Sequence, residues 1–471
     1  MPNSDLDRAY AALSTKKPAI DSWWRYYDGH HALPFISERL REVFRDVSPD
    51  FNLNWCEAVV DATADRISLT GLTATDERAT AVLKETWDEA GLGVEADDTH
   101  KAALVTGEGY VCLWQDDEYG LQAYYNDPRL AHVEYATHNP HVKAWGAKWW
   151  DEAGYRRLTL YYPDRLEYYI SRGKAENVTG AKAFIPYDGD GDPVVANPYG
   201  AVPLFHFRPE RRFAKSDLSS VWRAQNAVNM LLINMLVAGE FGALPQKWLI
   251  SQAGLSGKLP NHPGGILDFP ASDGDGQGTQ VGQFQAASLA NFWDAIDPLI
   301  GSIAAITRTP KHYFVRQSGD PSGDALAAME SPLLKKVQDR IDRFAIEWRA
   351  AGAFLLRLRG IEARATDVTP HWADIRTTQP LASAMSVREY TSANVPLRTA
   401  LRKAGWTEDD LAKMDEDQQA EQATQPQPSA FGLPPSAPGG QPMPGQTPGV
   451  GGMSDVMARI EAAAGQRQGA A

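Results

Sequence analysis

The sequence has few cysteines, no long apolar run and no excess of positive charge. Two cysteines, Cys56 and Cys112, in 471 residues exclude a disulfide framework and predict reduced core thiols, which suits a reducing compartment. The chain starts Met-Pro-Asn-Ser-Asp, with no basic segment leading into an apolar run, so we expect no secretory signal. One uncharged and largely apolar stretch, residues 224–239, is too short to span a bilayer, so we expect no membrane partner.

The net charge restricts how the chain could handle nucleic acid. A formal charge of −14 at pH 7 disfavours a protein that grips nucleic acid through a broad basic face. It remains compatible with a channel through which DNA passes without sticking. The length leaves room for two or three domains, and the apolar and charged fractions of 43% and 23% are ordinary for a globular protein.

Sequence motifs of nucleotide-binding, metal-binding and hydrolytic enzymes are also missing. No Gly-x-x-x-x-Gly-Lys-Ser/Thr occurs, which excludes a P-loop motor, and Gly-x-Ser-x-Gly is absent as well. An EF-hand-like match at Asp188 fails because Pro193 stands where the loop needs glycine. His138 and His141 have no cysteine or carboxylate at ligand spacing, so a surface turn is favoured over a metal site. We therefore predict no catalytic residue, metal or cofactor.

The first half of the chain combines helical and strand-like patterns. Asn54 can cap a helix with Glu57 three residues on, and residues 36–47 carry an amphipathic helical face. Between residues 101 and 207, short aromatic and β-branched runs alternate with turn sequences such as residues 151–154. This spacing leaves no room for crossover helices, so we predict an antiparallel meander and an α+β fold.

Two apolar helices are predicted to flank an insert that is rich in Gly, Pro and Asp. Ser216 can cap the first, which is uncharged over residues 224–239 and therefore needs cover from a core or from another subunit. The insert holds strand-like pieces at residues 247–250 and 265–269. Pro298 is expected to kink the second helix. The apolar residues on one face of that helix are Leu289, Phe292, Trp293, Ile296, Leu299, Ile300 and Ile303.

A single long helix is predicted to follow the polar loop at residues 317–324. Its apolar residues alternate steps of three and four, which makes a narrow seam along a helix ~50 Å long. Either the seam packs against copies of the chain, or the helix crosses the core of a large domain. The seam residues are Leu334, Val337, Ile341, Phe344, Trp348, Ala351, Leu355 and Leu358.

The order of helix, insert, helix, loop and long helix, together with five short segments, identifies a family resemblance. The segments are Tyr26–Gly29, Asn54–Arg66, Ile306–Pro310, Tyr313–Phe314 and Ser322–Lys336. In this order and spacing, from Trp23 to Trp406, the chain resembles the portal proteins of tailed double-stranded DNA phages, in the siphophage subgroup common among actinobacterial phages. The resemblance implies a portal fold with an antiparallel β-rich wing, and a non-enzymatic subunit of a ring, usually of twelve, at one capsid vertex.

The resemblance also implies a division of the chain into regions. These are N-terminal helices and the wing at residues 1–215, a first stem helix at 216–241, a clip insert at 242–287, a second stem helix at 288–309, a tunnel loop at 310–322, a long kinked helix at 323–360, an α-helical crown at 361–416 and a tail at 417–471. Pro332 stands where the kink is expected. The tail is rich in Gln, Pro and Gly and is expected to be disordered.

Candidate site residues follow from these regions. The tunnel loop would place Lys311, His312, Arg316 and Ser318 beside DNA, with exposed loop charges as the alternative interpretation. The ring interface would use Val228, Leu232, Met235, Leu236, Phe344 and Trp348. The clip, with Lys247, Trp248 and Lys258, would dock the terminase large subunit and later the head-completion adaptor protein. Asn54, Asp61, Asp65 and Arg66 are interpreted as capping and intersubunit-pairing residues.

The predicted function is mechanical. Portal subunits would nucleate the capsid with major capsid and scaffolding proteins in the host cytoplasm. In the virion they would pass double-stranded DNA, without sequence specificity, during packaging and ejection, and they would join head to tail. A closed ring would cover apolar helix faces head-to-tail, and unpaired carboxylates would repel phosphates so that DNA slides. A DNA-processing enzyme and a monomeric adaptor or binding protein are the alternatives, and the missing nucleotide and metal motifs disfavour the enzyme.

Overall fold

The computed structural model describes most of the chain. The described residues are 4–31, 53–116, 120–189, 191–210, 213–243, 247–251, 266–270, 280–283, 288–315, 322–376, 380–404, 406, 410–411 and 413–417. The amphipathic face predicted within residues 36–47 and the predicted tail lie outside them. The chain divides into two compact units, Met1–Ile375 and Arg376–Ala471.

Helices and strands are mixed along the first unit, as predicted for an α+β fold. Its helices are α1 (Ser4–Tyr27), α2 (Trp55–Ala64), α3 (Glu77–Glu89), α4 (Leu92–Thr106), α5 (Trp222–Ala243), α6 (Ala290–Thr307) and α7 (Gly323–Leu358). Its strands are β1 (Leu69–Ala74), β2 (Gly109–Asp116), β3 (Gly120–Asn126), β4 (Ala131–Ala136), β5 (Asn139–Glu152), β6 (Tyr155–Tyr161), β7 (Arg165–Lys174), β8 (Phe184–Pro186), β9 (Val194–Ala196), β10 (Leu204–Phe207), β11 (Lys247–Ser251), β12 (Ile266–Pro270), β13 (Gln280–Gln283) and β14 (Val368–Trp372).

The wing is an antiparallel meander, which confirms that prediction. Strands β4 to β8 form one sheet in sequence order, with β9 on β7, and β10, β2 and β3 form a second sheet. Helix α1 covers one face of the larger sheet, where Leu6 and Leu13 pack against Trp145 and Trp149. The other face packs through Val133 onto the second sheet. Alternating side chains therefore bury both faces over part of the larger sheet.

Helix α2 begins at the predicted cap. The Asn54 side chain accepts a hydrogen bond from the backbone N–H of Glu57, and its amide donates to a Glu57 carboxylate oxygen 3.3 Å away. Trp55 and Val59 are buried on one side of this helix. The capping prediction for Asn54 is thus confirmed, because its side chain satisfies a free N–H at the start of the helix.

Strand β14 corrects the predicted start of the crown. It pairs antiparallel with β1, so that Leu72 lies opposite Pro370. Helix α7 packs on this pair at Gly352, where an added Cβ would lie 2.7 Å from a Val368 methyl group. Residues 361–375 therefore belong to the first unit, although the sequence analysis placed them in the crown.

The seam of α7 faces the core of its own chain. Val337, Phe344, Trp348 and Leu355 are buried in the largest apolar cluster, together with residues of α2, α4 and β2. The helix has the predicted span and contains Pro332. The seam residues are therefore part of a helix that crosses the core of its own chain. Packing against copies of the chain is not needed to cover these four residues.

The second unit has a small core of its own. Helices α8 (Pro380–Ser392) and α9 (Leu397–Lys403) pack together. Val387, Ala400, Leu401 and Leu411 are buried in this core. These helices agree with a predicted helical region in the crown.

Candidate channel and subunit-interface residues

The residues that follow α6 form the base of the predicted tunnel loop, which we define as residues 311–315 and call the loop base. It opens with a short 3-10 helix, Lys311–Tyr313. The Lys311 Nζ atom lies 2.7 Å from Asp297 Oδ1 on α6, and the His312 ring packs on Tyr313 with 4.9 Å between ring centroids. Lys311 is therefore partly neutralised by its own chain. Arg316 and Ser318 lie outside the described residues.

A second set of contacts ties the loop base to α2 and α7. Arg66 Nη2 donates a 2.7 Å hydrogen bond to the Tyr313 hydroxyl and lies 3.5 Å from Glu330 Oε1. The Tyr313 hydroxyl in turn donates to Glu330 Oε1 over 3.5 Å. Phe314 packs edge-on against Trp55, with 6.3 Å between ring centroids. Sequence reasoning assigned Arg66 to intersubunit pairing, whereas the structure pairs it within the subunit.

Asp61 also has partners within its own subunit. Its Oδ1 atom accepts a 2.9 Å hydrogen bond from the Tyr27 hydroxyl and lies 3.4 Å from Lys101 Nζ. Burial, followed by the hydrogen bond to Asp61, raises the pKa of Tyr27 to about 12. Within the subunit, Asp61 thus joins α1, α2 and α4, and the intersubunit pairing of Asp61 stays a prediction.

Helices α5 and α6 pack against each other with one side of each buried. Val228 and Leu232 of α5 and Ile296 and Ile300 of α6 are buried in the largest core cluster, and Met235 is partly buried against it. Since Val228 and Leu232 are covered by their own chain, the prediction that they form the ring interface is corrected for these two residues. Their apolar character is explained by packing within the subunit.

Further apolar residues on these two helices, and at the start of α6, are exposed. The exposed fractions are 46% for Leu236, 44% for Trp293 and 57% for Ile306, and Met230 and Leu289 are exposed as well. We call these five residues the stem face. Large apolar side chains exposed along neighbouring helices are typical of a surface that another protein covers. Of the predicted interface residues, Leu236 belongs to the stem face.

Phe344 and Trp348 surround a buried histidine instead of forming an interface. Trp348 Nε1 donates a 2.8 Å hydrogen bond to His100 Nε2, and the His100 ring stacks on Phe344 at 4.9 Å and 4°. Burial lowers the pKa of His100 to about 3, so the ring is neutral and its Nε2 atom can accept. The interface role predicted for Phe344 and Trp348 is wrong, because both are enclosed by their own chain.

Polar residues of α5 hold the two chain segments that flank residues 32–52. Gln225 accepts a 3.0 Å bond from the Trp55 N–H and donates 2.6 Å to the Leu53 carbonyl. Asn229 lies 2.9 Å from His31 Nδ1, and Gln225 donates to Asn229 over 3.2 Å. The sequence analysis assigned no role to these amides. Their spacing of four on a helix without charges is the signal that could have identified them.

The insert between α5 and α6 contains a three-stranded sheet. Strand β11 lies between β12, which is parallel to it, and β13, which is antiparallel. The two strand-like pieces of the insert are thus confirmed as β11 and β12. Trp248 lies opposite Gly282, where a Cβ atom would collide with the indole ring. Lys247 lies on β11, and Lys258 is outside the described residues.

Comparisons with known proteins agree with this architecture. A family model described as "Phage portal protein, SPP1 Gp6-like" matches residues 6–425. The chain belongs to this family of phage portal proteins. The chain is similar to the portal protein of Mycobacterium phage D29, with 24% identity over 400 residues, 77% of this chain and 78% of the relative. It is also similar to the portal protein of Mycobacterium phage L5, with 24% identity over 321 residues, 64% of this chain and 63% of the relative.

As a member of this family, the chain is a portal subunit that serves DNA packaging and the connection of head to tail, and it assembles as a homo-oligomeric ring in the capsid. Family members are structural components of the phage. Within the described ranges, no group of three or more His, Cys, Asp or Glu residues could hold a metal ion. Among the helices described, none combines the length and apolar character needed to cross a membrane.

Buried ion pairs join the long helix of the portal subunit to the start of its first stem helix. Asp217 follows Ser216, whose hydroxyl accepts from the Leu218 N–H. The Asp217 carboxylate lies 2.7 Å from Lys336 Nζ and 3.1 Å from Arg340 Nη2. Burial favours a raised pKa for Asp217, but the two cations hold it below its usual value. The helix predicted to start at Ser216 thus begins with a 3-10 turn, Asp217–Ser220, before α5.

Proposed function

We propose that about twelve copies of the chain close into a ring with stem helices α5 and α6 around a central channel for double-stranded DNA. The number twelve comes from the family resemblance. The observation that carries the proposal is the stem face, which remains exposed in a single subunit. Head-to-tail contacts in a closed ring would cover this surface on every copy. Leu236 is the central interface residue, with Trp293 and Ile306 beside it on α6.

The clip extends from the stem and is the proposed docking surface for the terminase large subunit and later for the head-completion adaptor. Its sheet lies in the chain between the two stem helices, so both ends of the insert are held by α5 and α6. Trp248 is half-buried in this sheet and supplies an aromatic anchor of the kind enriched at interfaces. Lys247 and Lys258 are the proposed charged contacts.

The loop base is the proposed start of the DNA contacts, which would not read sequence. Lys311, His312, Arg316 and Ser318 are the candidate residues. Because Lys311 is paired with Asp297, we expect it to contribute a weaker attraction for phosphate than a free lysine. Such weak contacts suit a conduit, since strong counterion-releasing contacts would hold the DNA in place.

The remaining parts of the proposal concern the capsid. We place the ring at one vertex of the virion, where it would contact major capsid and scaffolding proteins during assembly in the host cytoplasm and later release the genome. The subunit would perform these roles without catalysis. The purified chain should accordingly show no metal-dependent nuclease activity.

Negative-stain electron microscopy of the purified full-length chain tests the ring. We expect rings with a central hole from the wild type, and at least about tenfold fewer rings from Leu236→Asp, because an unpaired carboxylate would be buried at each contact. Val94→Asp is the matched control, since Val94 is 69% exposed and belongs to α4 and not to a stem helix.

Circular dichroism should be the same for wild type and both variants, so that a loss of rings is not a loss of fold. Normal rings from Leu236→Asp would mean that α5 does not form the interface. A monodisperse wild-type monomer would contradict the ring proposal and favour the adaptor alternative.

A further inference from the structure

We propose that Arg66 is the residue that positions the tunnel loop, by clamping the loop base and the start of α7 to α2. The inference rests on the proposed function, because the loop base matters for DNA only if the chain forms a channel. We call Arg66, Tyr313 and Glu330 the Arg66 clamp. It joins the end of α2 to two segments that lie on either side of the tunnel loop, the first of them 247 residues later in the sequence.

The geometry of the clamp gives each member a separate task. Arg66 follows Asp65, the C-cap of α2, and its Nη1 also donates 3.4 Å to the Ala62 carbonyl, which orients the guanidinium at the end of that helix. Its Nη2 then bonds the Tyr313 hydroxyl, and the guanidinium carbon lies 5.8 Å from the Tyr313 ring centre. Tyr313 is thereby held by both its hydroxyl and its ring.

Glu330 closes the clamp from the other side of the loop. It belongs to the first turns of α7, which starts at Gly323, and it meets both Arg66 and the Tyr313 hydroxyl at 3.5 Å. One cation therefore holds the chain before the loop and the chain after it. The charge of Arg66 is balanced by Glu330, so the clamp needs no counterion from solvent.

Burial makes the Arg66 clamp a stronger contact than the ion pair between Lys311 and Asp297, which also holds the loop base. The Arg66 and Glu330 side chains are 16% and 15% exposed, whereas Lys311 and Asp297 are 31% and 43% exposed. Exposed ion pairs contribute little because water screens them, and a charge-assisted hydrogen bond in a drier site contributes more. The loop base is thus fixed mainly to α2 and α7, and only weakly to stem helix α6.

This arrangement has a mechanical consequence for a portal. A push on the loop base would be transmitted through Arg66 to α2 and through Glu330 to α7. The same three segments are among those that carry the family resemblance, since Arg66 directly follows the C-cap of α2, Tyr313 lies in the loop base and Glu330 lies in α7. Their convergence is visible only in the folded chain.

Hydrogen–deuterium exchange of the full-length chain tests the clamp without any phage component. In Arg66→Met, which keeps side-chain length but removes the charge, we expect exchange to rise about tenfold at residues 311–315 and 323–330. Residues 337–356 and the wing should exchange as in the wild type. Arg364 forms an ion pair with Asp367 at 3.1 Å, and the Arg364 side chain is exposed. Lys311→Met and Arg364→Met are the controls, because each removes one solvent-accessible ion pair, and neither should change exchange at residues 323–330.

Two further variants separate positioning from general stability. If Arg66 acts through Glu330, then Arg66→Met combined with Glu330→Gln should exchange no faster than Arg66→Met alone. Tyr313→Phe, which keeps the ring, should give a smaller local increase. Unchanged exchange at both segments in Arg66→Met would overturn the clamp, and so would a uniform increase over the whole chain.

Complementation of a portal-defective phage tests what the clamp does in the channel. Arg66→Met should form rings of normal appearance but give about tenfold fewer DNA-filled heads, and Arg66→Lys, which retains the charge, should restore part of the yield. Wild-type numbers of filled heads with Arg66→Met would refute the positioning role. Failure of the wild-type chain to form rings would instead refute the proposed function, while the exchange result would still decide whether the clamp exists.

Discussion

Arg308 illustrates how a single residue can retain a strained conformation. It caps the C-terminal end of α6 with φ 60° and ψ 26°, the left-handed region, and its N–H bonds the Ala304 carbonyl. L-residues other than glycine pay ~1–2 kcal/mol for this conformation. Most helices that end in this way use glycine. An exposed arginine here, shortly before the loop base, costs stability that glycine would not.

Replacing Arg308 tests this strain directly. Arg308→Gly should be more stable than Arg308→Ala by about 1 kcal/mol, because both lose the side chain and only glycine relieves the left-handed backbone. The free energy of unfolding, measured with urea, gives the difference. Equal stability of the two variants would show that the backbone at this position carries no strain.

At the scale of elements, periodicity identified the helices but not what covers them. The seam of α7 was predicted from the spacing of Val337, Phe344 and Trp348, and its burial is confirmed. Its cover is His100 on α4, some 250 residues earlier, which no local pattern reveals. For the stem helices the same limit applied in part, since Val228 and Leu236 have similar hydrophobic character and lie about two turns apart on α5, yet only Val228 is buried.

Short strands were the other elements that the sequence did not reveal. Strands β13 and β14 contain four and five residues, and Gly282 or Pro370 interrupts the usual pattern of branched side chains. Their pairing with β11 and β1 defines them. The tunnel-loop and clip residues were chosen through family resemblance, and of these the structure describes the side chains of Lys311, His312 and Trp248.

The buried amide side chains of Gln225 and Asn229 on α5 support a prediction about this helix. Gln225→Leu should lower the free energy of unfolding by about 2–3 kcal/mol, because the Trp55 N–H and the Leu53 carbonyl would lose their buried partner. Asn234→Leu, at a half-buried position of the same helix, is the control and should change stability by less than about 1 kcal/mol. Thermal melts followed by circular dichroism compare the two variants. Equal melting temperatures would mean that the hydrogen bonds of Gln225 do not stabilise the fold.

For the whole molecule, buried neutral histidines make stability depend on pH. His100 has a pKa of about 3 in the folded chain, whereas an unfolded histidine titrates near ~6.5. Between these values the unfolded chain binds more protons than the folded chain. The stabilisation is therefore complete above pH ~6.5 and is lost as the pH falls towards 3. Its neighbours Phe207, Phe344 and Trp348 carry no charge that could compensate.

A pH comparison isolates this histidine. Between pH 7 and pH 5 the wild type should lose about 2 kcal/mol through His100 alone. His100→Gln keeps an oxygen that can accept from Trp348 Nε1 but cannot titrate. The variant's loss of unfolding free energy between pH 7 and pH 5 should therefore be smaller by about 2 kcal/mol. Urea unfolding at both pH values measures the free energy of unfolding of the two proteins. The same pH dependence in both proteins would mean that His100 is already accessible to protons in the folded state.

The pairing of β1 with β14 also determines when a newly made subunit can become competent for assembly. Leu72 of β1 is synthesised long before Pro370, its partner in β14. At ~5–20 residues per second the ribosome needs roughly 15–60 s to translate the chain between them. Until then, the first strand has an open edge, and the long helix lacks the surface on which Gly352 rests. A nascent chain thus cannot complete the fold of its first unit before both stem helices have been translated.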